Sequence, residues 1–367
     1  MDQQQEFEDL FALTRALVDI NSVTGEEAQC GHYVHDYLAA RNFQVEKQPV
    51  TASRFNVFAT WGKPEIVLST HLDTVPPFQS AWEDGEFIYG RGSCDAKGIL
   101  ASQITAAERL RNEGVGDFGL LYLVGEEVTS DGAAAANRVP RGTRFMINGE
   151  PTGNKLALGS KGILRVDVRA RGKMAHSAYP HLGESAIEKM LDVLNGVRRI
   201  TLPEDPVLGQ STLNIGLISG GRAGNVIPDE AYAQVIIRTV SDENGRRRMK
   251  EEIQALARDR AECEFVRETP PIRMQKLDGF QTDVVAFTTD LPSLAAWGEP
   301  FLLGPGSIHV AHTDHERIRK ADLVEAVDLY CRLARELKKR AAGSAKRAAG
   351  HAADSAQASR SVQENDG

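Results

Sequence analysis

Apolar residues recur along this chain with three distinct periods, and each period implies a different kind of element. Three short runs, 66–69, 120–124 and 145–147, are apolar almost without interruption, the pattern of strands buried on both faces of a sheet. Between Leu164 and Arg171 the two kinds of position alternate instead: Leu164, Val166, Val168 and Ala170 against Arg165, Asp167, Arg169 and Arg171. That period of two predicts a half-exposed antiparallel strand. A period of 3.6 marks the N-terminus, where Phe7, Leu10, Phe11, Leu17 and Val18 share one face of an amphipathic helix.

Followed along the chain, these periods predict an order of elements. Thr24, Gly25, Glu26 and Glu27 form a capping box that starts a second helix, running to about Arg41. Strands over 44–50 and 55–59 precede the one that ends at His71. A helix covers 95–111, with Asp95 near its N-terminus, where backbone N–H groups and the dipole favour a carboxylate. The alternating strand is followed by a helix over 184–198, strands over 212–218 and 231–238, a helix over 242–258 and a strand over 261–268, the βαββαβ order of a ferredoxin-like module. Buried-looking runs return at 284–287 and 300–303, and a closing helix covers 321–339. An α/β domain is therefore interrupted by a second one: 1–159 and 270–342 build the first, 160–269 the second. The Ala- and Ser-rich segment 343–367 lacks aromatic residues and is expected to be disordered.

A chain of 367 residues has room for two such domains, and 41% hydrophobic with 26% charged residues is the balance of a soluble globular protein. The formal net charge of -8, with no basic run interleaved with aromatics, argues against nucleic acid as a partner. The N-terminus lacks the basic and apolar regions of a secretory signal, and no apolar stretch is long enough to cross a bilayer. Cys30, Cys94, Cys263 and Cys331 are widely spaced and form no CxxC pair. These features predict reduced thiols and a cytoplasmic location, with no membrane partner.

The candidate chemistry sits where the buried runs stop. IVLSTHLD (66–73), LLYLVGEE (120–127) and FMINGEP (145–151) deliver His71, Glu126, Glu127 and Glu150 at strand ends, and ligands of open α/β sheets collect outside those carboxyl ends. GRGSCDAKG (90–98) adds Asp95. Buried carboxylates need cations or pairing, so their convergence implies at least one metal ion. His71 and Asp73, two apart in a strand, allow a carboxylate to orient the ring of a metal-binding histidine. Glu126 and Glu127 point in different directions, so that one can coordinate while the other activates water. Asp95 either bridges two cations or caps a helix. GPGSIHVAHTDHE (304–316) contains His309, His312 and His315, of which one is a ligand that spacing alone does not select. The turn with Gly220, Gly221 and Gly224 either presents amides to an anion or is a plain hairpin.

In order and spacing, STHLDTVPP, GRGSCDAKGILAS, VGEEVTSDGA, NGEPTG, RGKMAHSAYPHLGESAI, GGRAGNVIPDEA and GPGSIHVAHTDHE resemble the co-catalytic zinc metallopeptidase family that contains acetylornithine deacetylase, succinyl-diaminopimelate desuccinylase and bacterial glutamate carboxypeptidase. The resemblance covers nearly everything except the tail. It implies an α/β fold: a mixed-sheet, zinc-peptidase-like catalytic domain with an inserted ferredoxin-like lid and dimerisation domain, and hence a homodimer. It implies two Zn²⁺ per chain, with Co²⁺ or Mn²⁺ as substitutes, held by His71, Glu127, Glu150 and His312 and bridged by Asp95. Glu126 becomes the general base and Asp73 the carboxylate behind His71. His312 follows from the family's H-x-x-[DN]-E arrangement, which Glu316 completes, although His315 stands where Asp or Asn is usual and leaves His309 as a competitor. His176 matches a histidine that stabilises the oxyanion, often across the dimer, and Asn225 and Arg238 match residues that hold the substrate's carbonyl or carboxylate.

The activity so implied is hydrolysis of the amide bond of a small N-acyl amino acid by a metal-bridged hydroxide. Within the family the blocks lie nearest the acetylornithine and acetyl-lysine deacetylases of amino-acid biosynthesis; a desuccinylase, carboxypeptidase or dipeptidase activity is the alternative. A nucleotide-binding enzyme is suggested by GRGSCD alone, and Asp95 stands where the third glycine of a dinucleotide fingerprint belongs. A catalytically silent metal-binding scaffold would need a ligand or the base to be missing, and none is.

Overall fold

The computed structural model describes residues 3–363, with side chains to residue 343. The chain forms two compact units, one from the described residues up to Leu156 and from Ser293 onward, the other from Ala157–Pro292.

The first unit is built on a six-stranded sheet in the order Gln44–Pro49, Phe55–Trp61, Phe118–Leu123, Ile66–His71, Phe145–Asn148, Glu299–Leu302. The last four strands run parallel and the first two are antiparallel additions at one edge. Every residue of Ile66–His71, Phe118–Leu123 and Phe145–Asn148 is buried, which is why their sequences show no alternation. Each fully buried Leu, Ile or Val there contributes about 1.5–3 kcal/mol relative to exposure. The helices Gln3–Val18 and Lys320–Gln363 pack against Lys97–Asn112. Ala28–Ala39 lies on the antiparallel pair of strands. No described helix is long and apolar enough to cross a membrane.

Two local expectations are corrected. The helix Ala28–Ala39 starts at Glu27 without a side-chain cap. The Thr24 hydroxyl donates instead to Asp73 Oδ2 at 2.8 Å, and the Glu27 carboxylate is drawn into a buried pair with Arg54 at 2.7 Å. A charged partner outcompetes a neutral capping contact. At the other end the closing helix continues through the Ala-rich segment expected to be disordered, as far as Gln363; alanine is the strongest helix former. Residues 364–367 of that segment lie outside the described residues.

In the second unit the sheet order is Thr212–Gly220, Glu230–Thr239, Gly162–Arg171, Ala261–Thr269, all antiparallel. The helices Ala186–Val197 and Glu243–Ala257 cover one face, where Leu164, Val166 and Val168 meet Met190, Val193 and Ile253. Elements and pairing are those of the ferredoxin-like module. The unit also takes in 270–292, beyond the expected boundary at 269. Ile272–Arg273 and Thr282–Val285 flank Leu156–Ser160 in a separate three-stranded sheet, so the apolar run at 284–287 is satisfied locally rather than in the large sheet.

Candidate metal centre

The parallel strands aim their C-terminal residues at one place. His71 ends Ile66–His71, and its Nδ1 donates to the Asp73 backbone carbonyl at 2.9 Å. The Asp73 carboxylate is farther, at 3.6 Å from the same nitrogen. That hydrogen bond assigns the ring proton to Nδ1 and turns Nε2 toward the cluster. There Nε2 lies 3.1 Å from Asp95 Oδ1 and 4.0 Å from Glu150 Oε2. On the other side of Asp95, His312 Nε2 lies 3.4 Å from Oδ2 and 3.1 Å from Glu127 Oε1. Asp95 thus gives one oxygen to each histidine, and each histidine has its own glutamate. His309, His312 and His315 are all exposed, and of the three it is the His312 ring that reaches Asp95 and Glu127.

Beside its place behind His71, Asp73 has a second task. Its carboxylate, fully buried, accepts the backbone N–H of Glu126 at 3.0 Å and of Glu127 at 3.1 Å as well as the Thr24 hydroxyl. It therefore sets the turn that points the two glutamates apart. Gly125, at φ +78°, precedes them, and a Cβ there would stand 2.0 Å from Asp131 Oδ1 and 2.7 Å from Arg54 Nη2. Only glycine fits that turn. Arg54 links the turn to the second helix through Glu27 and Asp131, a network that no motif announced.

The loop of Asp95 is held from behind. Glu316, 1% exposed, accepts the N–H groups of Gly92, Cys94 and Asp95 at 3.0, 3.2 and 3.0 Å on Oε1 and the Arg91 guanidinium at 2.7 Å on Oε2. Amides converging on an anion are what a phosphate-binding loop provides. Here the chain's own carboxylate fills that place, which removes the nucleotide reading of GRGSCD.

Charge in the cluster is unbalanced by side chains alone. Burial would raise Asp95, yet hydrogen bonds from His312 and His71 hold it below the usual carboxylate range. Burial also opposes a charged His71, but Asp73 and Asp95 drive its pKa well above the ordinary value. The hydrogen bonds to Asp95 and Glu127 push His312 up to about 10. Burial raises Glu127. Both histidines are thereby shifted toward the charged form, the direction that carboxylates gathered around them impose.

The donor set fits a divalent metal. One donor atom each from His71, Asp95 and Glu127 lies within 4.8 Å of the others, and imidazole with carboxylate is the chemistry that Zn²⁺, Co²⁺ and Mn²⁺ accept. The neighbouring Cys94 does not compete: its thiol is turned to the Ser307 carbonyl at 3.5 Å, and burial raises its pKa far above the ordinary thiol value.

Three further candidates belong to the second unit. His176 and Asn225 are exposed neighbours there: His176 bridges to Val226, and the Asn225 carbonyl accepts the Ser177 N–H at 3.0 Å. The Ala178 N–H donates to His176 Nδ1 at 3.1 Å, which leaves the neutral ring's proton on Nε2. Arg238 reaches Thr288 at 3.3 Å and sits at the opposite end of its sheet. It pairs with Thr212 and Ile163, whereas the Asn225 turn leads into Glu230. The strand between, ten residues long, spans about 30 Å at roughly 3.3 Å per residue.

A family model described as a peptidase dimerisation domain matches residues 158–262. A peptidase M20 domain-containing protein of Schizosaccharomyces pombe is 38% identical over 338 residues, 89% of this chain and 84% of that protein. An Aspergillus terreus protein named "Probable carboxypeptidase" is 38% identical, with 87% and 84% of the two chains covered. Among solved structures, a tripeptidase from Staphylococcus aureus superposes with a TM-score of 0.76 at 21% identity, covering 90% of this chain and 99% of that one. Identity of this size across most of both chains places the protein in the M20 family of metallopeptidases.

Proposed function

We propose that the first unit holds two divalent cations and that the protein hydrolyses the amide bond of a small N-acyl amino acid. The observation that carries this reading is the division of Asp95, with Oδ1 at 3.1 Å from His71 and Oδ2 at 3.4 Å from His312. His71 and Glu150 would hold one ion, His312 and Glu127 the other, and Asp95 both. Two cations there would polarise the scissile carbonyl and bring the pKa of water toward neutrality. Glu126, aimed by the amide bonds to Asp73, takes the proton of the attacking water and returns it to the leaving amine. His176, with its donor on Nε2, is assigned the oxyanion, and Asn225 and Arg238 the substrate's carbonyl and carboxylate; these three roles rest on resemblance.

Because His176 and Arg238 occupy opposite ends of one sheet, a small substrate cannot meet both within a single chain. A homodimer, in which each copy lends one end, satisfies both assignments. On the substrate, the sequence blocks favour N-acetylornithine or N-acetyl-lysine. The Aspergillus relative's name favours a second reading, removal of a C-terminal residue from a short peptide. Both share an amide next to a free carboxylate. Assay of the zinc-loaded protein against N-acetyl and N-succinyl amino acids and dipeptides separates them. A kcat/KM at least about tenfold higher for N-acetylornithine or N-acetyl-lysine supports the first reading, and the reverse order rejects it.

A further inference from the structure

Glu316 takes no part in the chemistry above, yet it ties together two segments separated by 221 residues. Its carboxylate gathers three amides and the Arg91 guanidinium, and its own carbonyl accepts the Gly90 N–H at 3.2 Å. One of those amides belongs to Asp95, whose side chain is shared between the two histidines. On the other segment His312 stands four positions before Glu316 at φ +62°, a left-handed conformation uncommon outside glycine. One buried carboxylate therefore fixes the backbone of the shared ligand and anchors the turn that carries its second histidine.

We propose that Glu316 is a positioning residue for the metal pair: an internal anion, seated in the 92–95 loop, that keeps the two Asp95 oxygens divided between His71 and His312. This rests on the metal reading above. A purely structural staple would lower the melting temperature and leave the affinity of the folded protein for metal unchanged. A positioning residue weakens metal binding in the folded protein whatever its effect on melting, because the ligands persist but lose their preset arrangement. Glutamine is the informative replacement: it keeps the volume and one acceptor, loses the charge, and turns an N–H₂ group toward donors that need an acceptor.

The test measures zinc affinity of the full chain by competition with a chromophoric chelator, together with circular dichroism and melting of the metal-free proteins. Glu316→Gln is expected to stay folded and to bind zinc about 10–100-fold more weakly. Glu316→Ala is expected to lose at least as much, and excess formate to restore part of its zinc affinity by entering the loop, with no effect on the wild type. Should Glu316→Gln fail to fold, Glu316→Asp, which keeps the charge one methylene short of the amides, is read against the same expectation. Wild-type affinity in the folded Gln or Asp variant, or an Ala deficit that formate does not reduce, overturns the assignment of Glu316 alone. A wild-type chain that binds no zinc overturns the metal reading and this inference with it.

Discussion

In the first unit His71, Asp73, Asp95 and Glu150 are all buried and held in a common cluster, whereas in the second His176 and Asn225 stand exposed on neighbouring turns, fixed by a few local hydrogen bonds. The difference matches what each is proposed to bind. A small cation tolerates little error in ligand position, so its donors are set in advance by strand ends and buried hydrogen bonds. A flexible organic substrate is met by groups that can adjust after it arrives. Damage to the first unit should therefore appear as lost metal, and damage to the second as lost turnover with the metal intact.

The sharpest break in that comparison comes from Asp95→Asn. Removing the shared charge is expected to take metal content from about two ions per chain to at most one and activity to background; metal analysis at wild-type level would end the bridging assignment. Glu126→Gln is expected to lower kcat by about 10²–10⁴-fold while metal content stays near wild type. Loss of metal in that variant would make Glu126 a ligand instead. His176→Ala should reduce kcat by about 10²–10³-fold with no change in zinc affinity or melting. Mixing the two inactive proteins, His176→Ala and Asp95→Asn, sharpens it further. Half of the dimers would then carry one intact site of two, so activity should return to about a quarter of wild type, and no recovery would refute sites shared between copies.

The smallest effect concerns protons. With its folded pKa raised to about 10, His312 stabilises the metal-free chain fully below its unfolded value near 6.5, and that contribution is lost as pH rises through 10. His71 is raised in the same direction. Metal must displace both imidazolium protons, so zinc binding near neutral pH is expected to release about two protons per chain and to tighten as pH rises. Calorimetry in buffers of different ionisation heats reads that number directly, and a value of zero would show that the two imidazoles are not protonated in the metal-free chain.

Much of this was written in residue patterns because burial is. Runs buried on both faces, such as 118–123, cannot alternate, and the acids that end them have few structural reasons to be there. The alternating strands of the second unit were equally plain, down to their order. What the pattern hid depends on competition between distant partners. Thr24 satisfies a helix-capping spacing, yet Asp73 captures its hydroxyl from 49 residues away. Arg54 looked like any loop arginine until folding brought Glu27 and Asp131 to it. GRGSCD carries the glycines of an anion loop, but nothing local says that the anion is Glu316. The run 284–287 reads as apolar without revealing which sheet its strand joins.

The interrupted course of the first unit also sets a timetable for a growing polypeptide. By the time Glu150 has left the ribosome, four of the five proposed ligands exist, but the sheet strand Glu299–Leu302 and His312 do not. At about 5–20 residues per second, roughly 10–30 s pass before His312 emerges, during which the intervening unit can fold as a body of its own. Metal capture would then be a late event in biogenesis, gated by the return of the chain rather than by ion supply. Ribosome-bound chains arrested after Pro292 are expected to show a protease-resistant second unit and no tightly held zinc, and zinc retained at that stage would contradict the schedule.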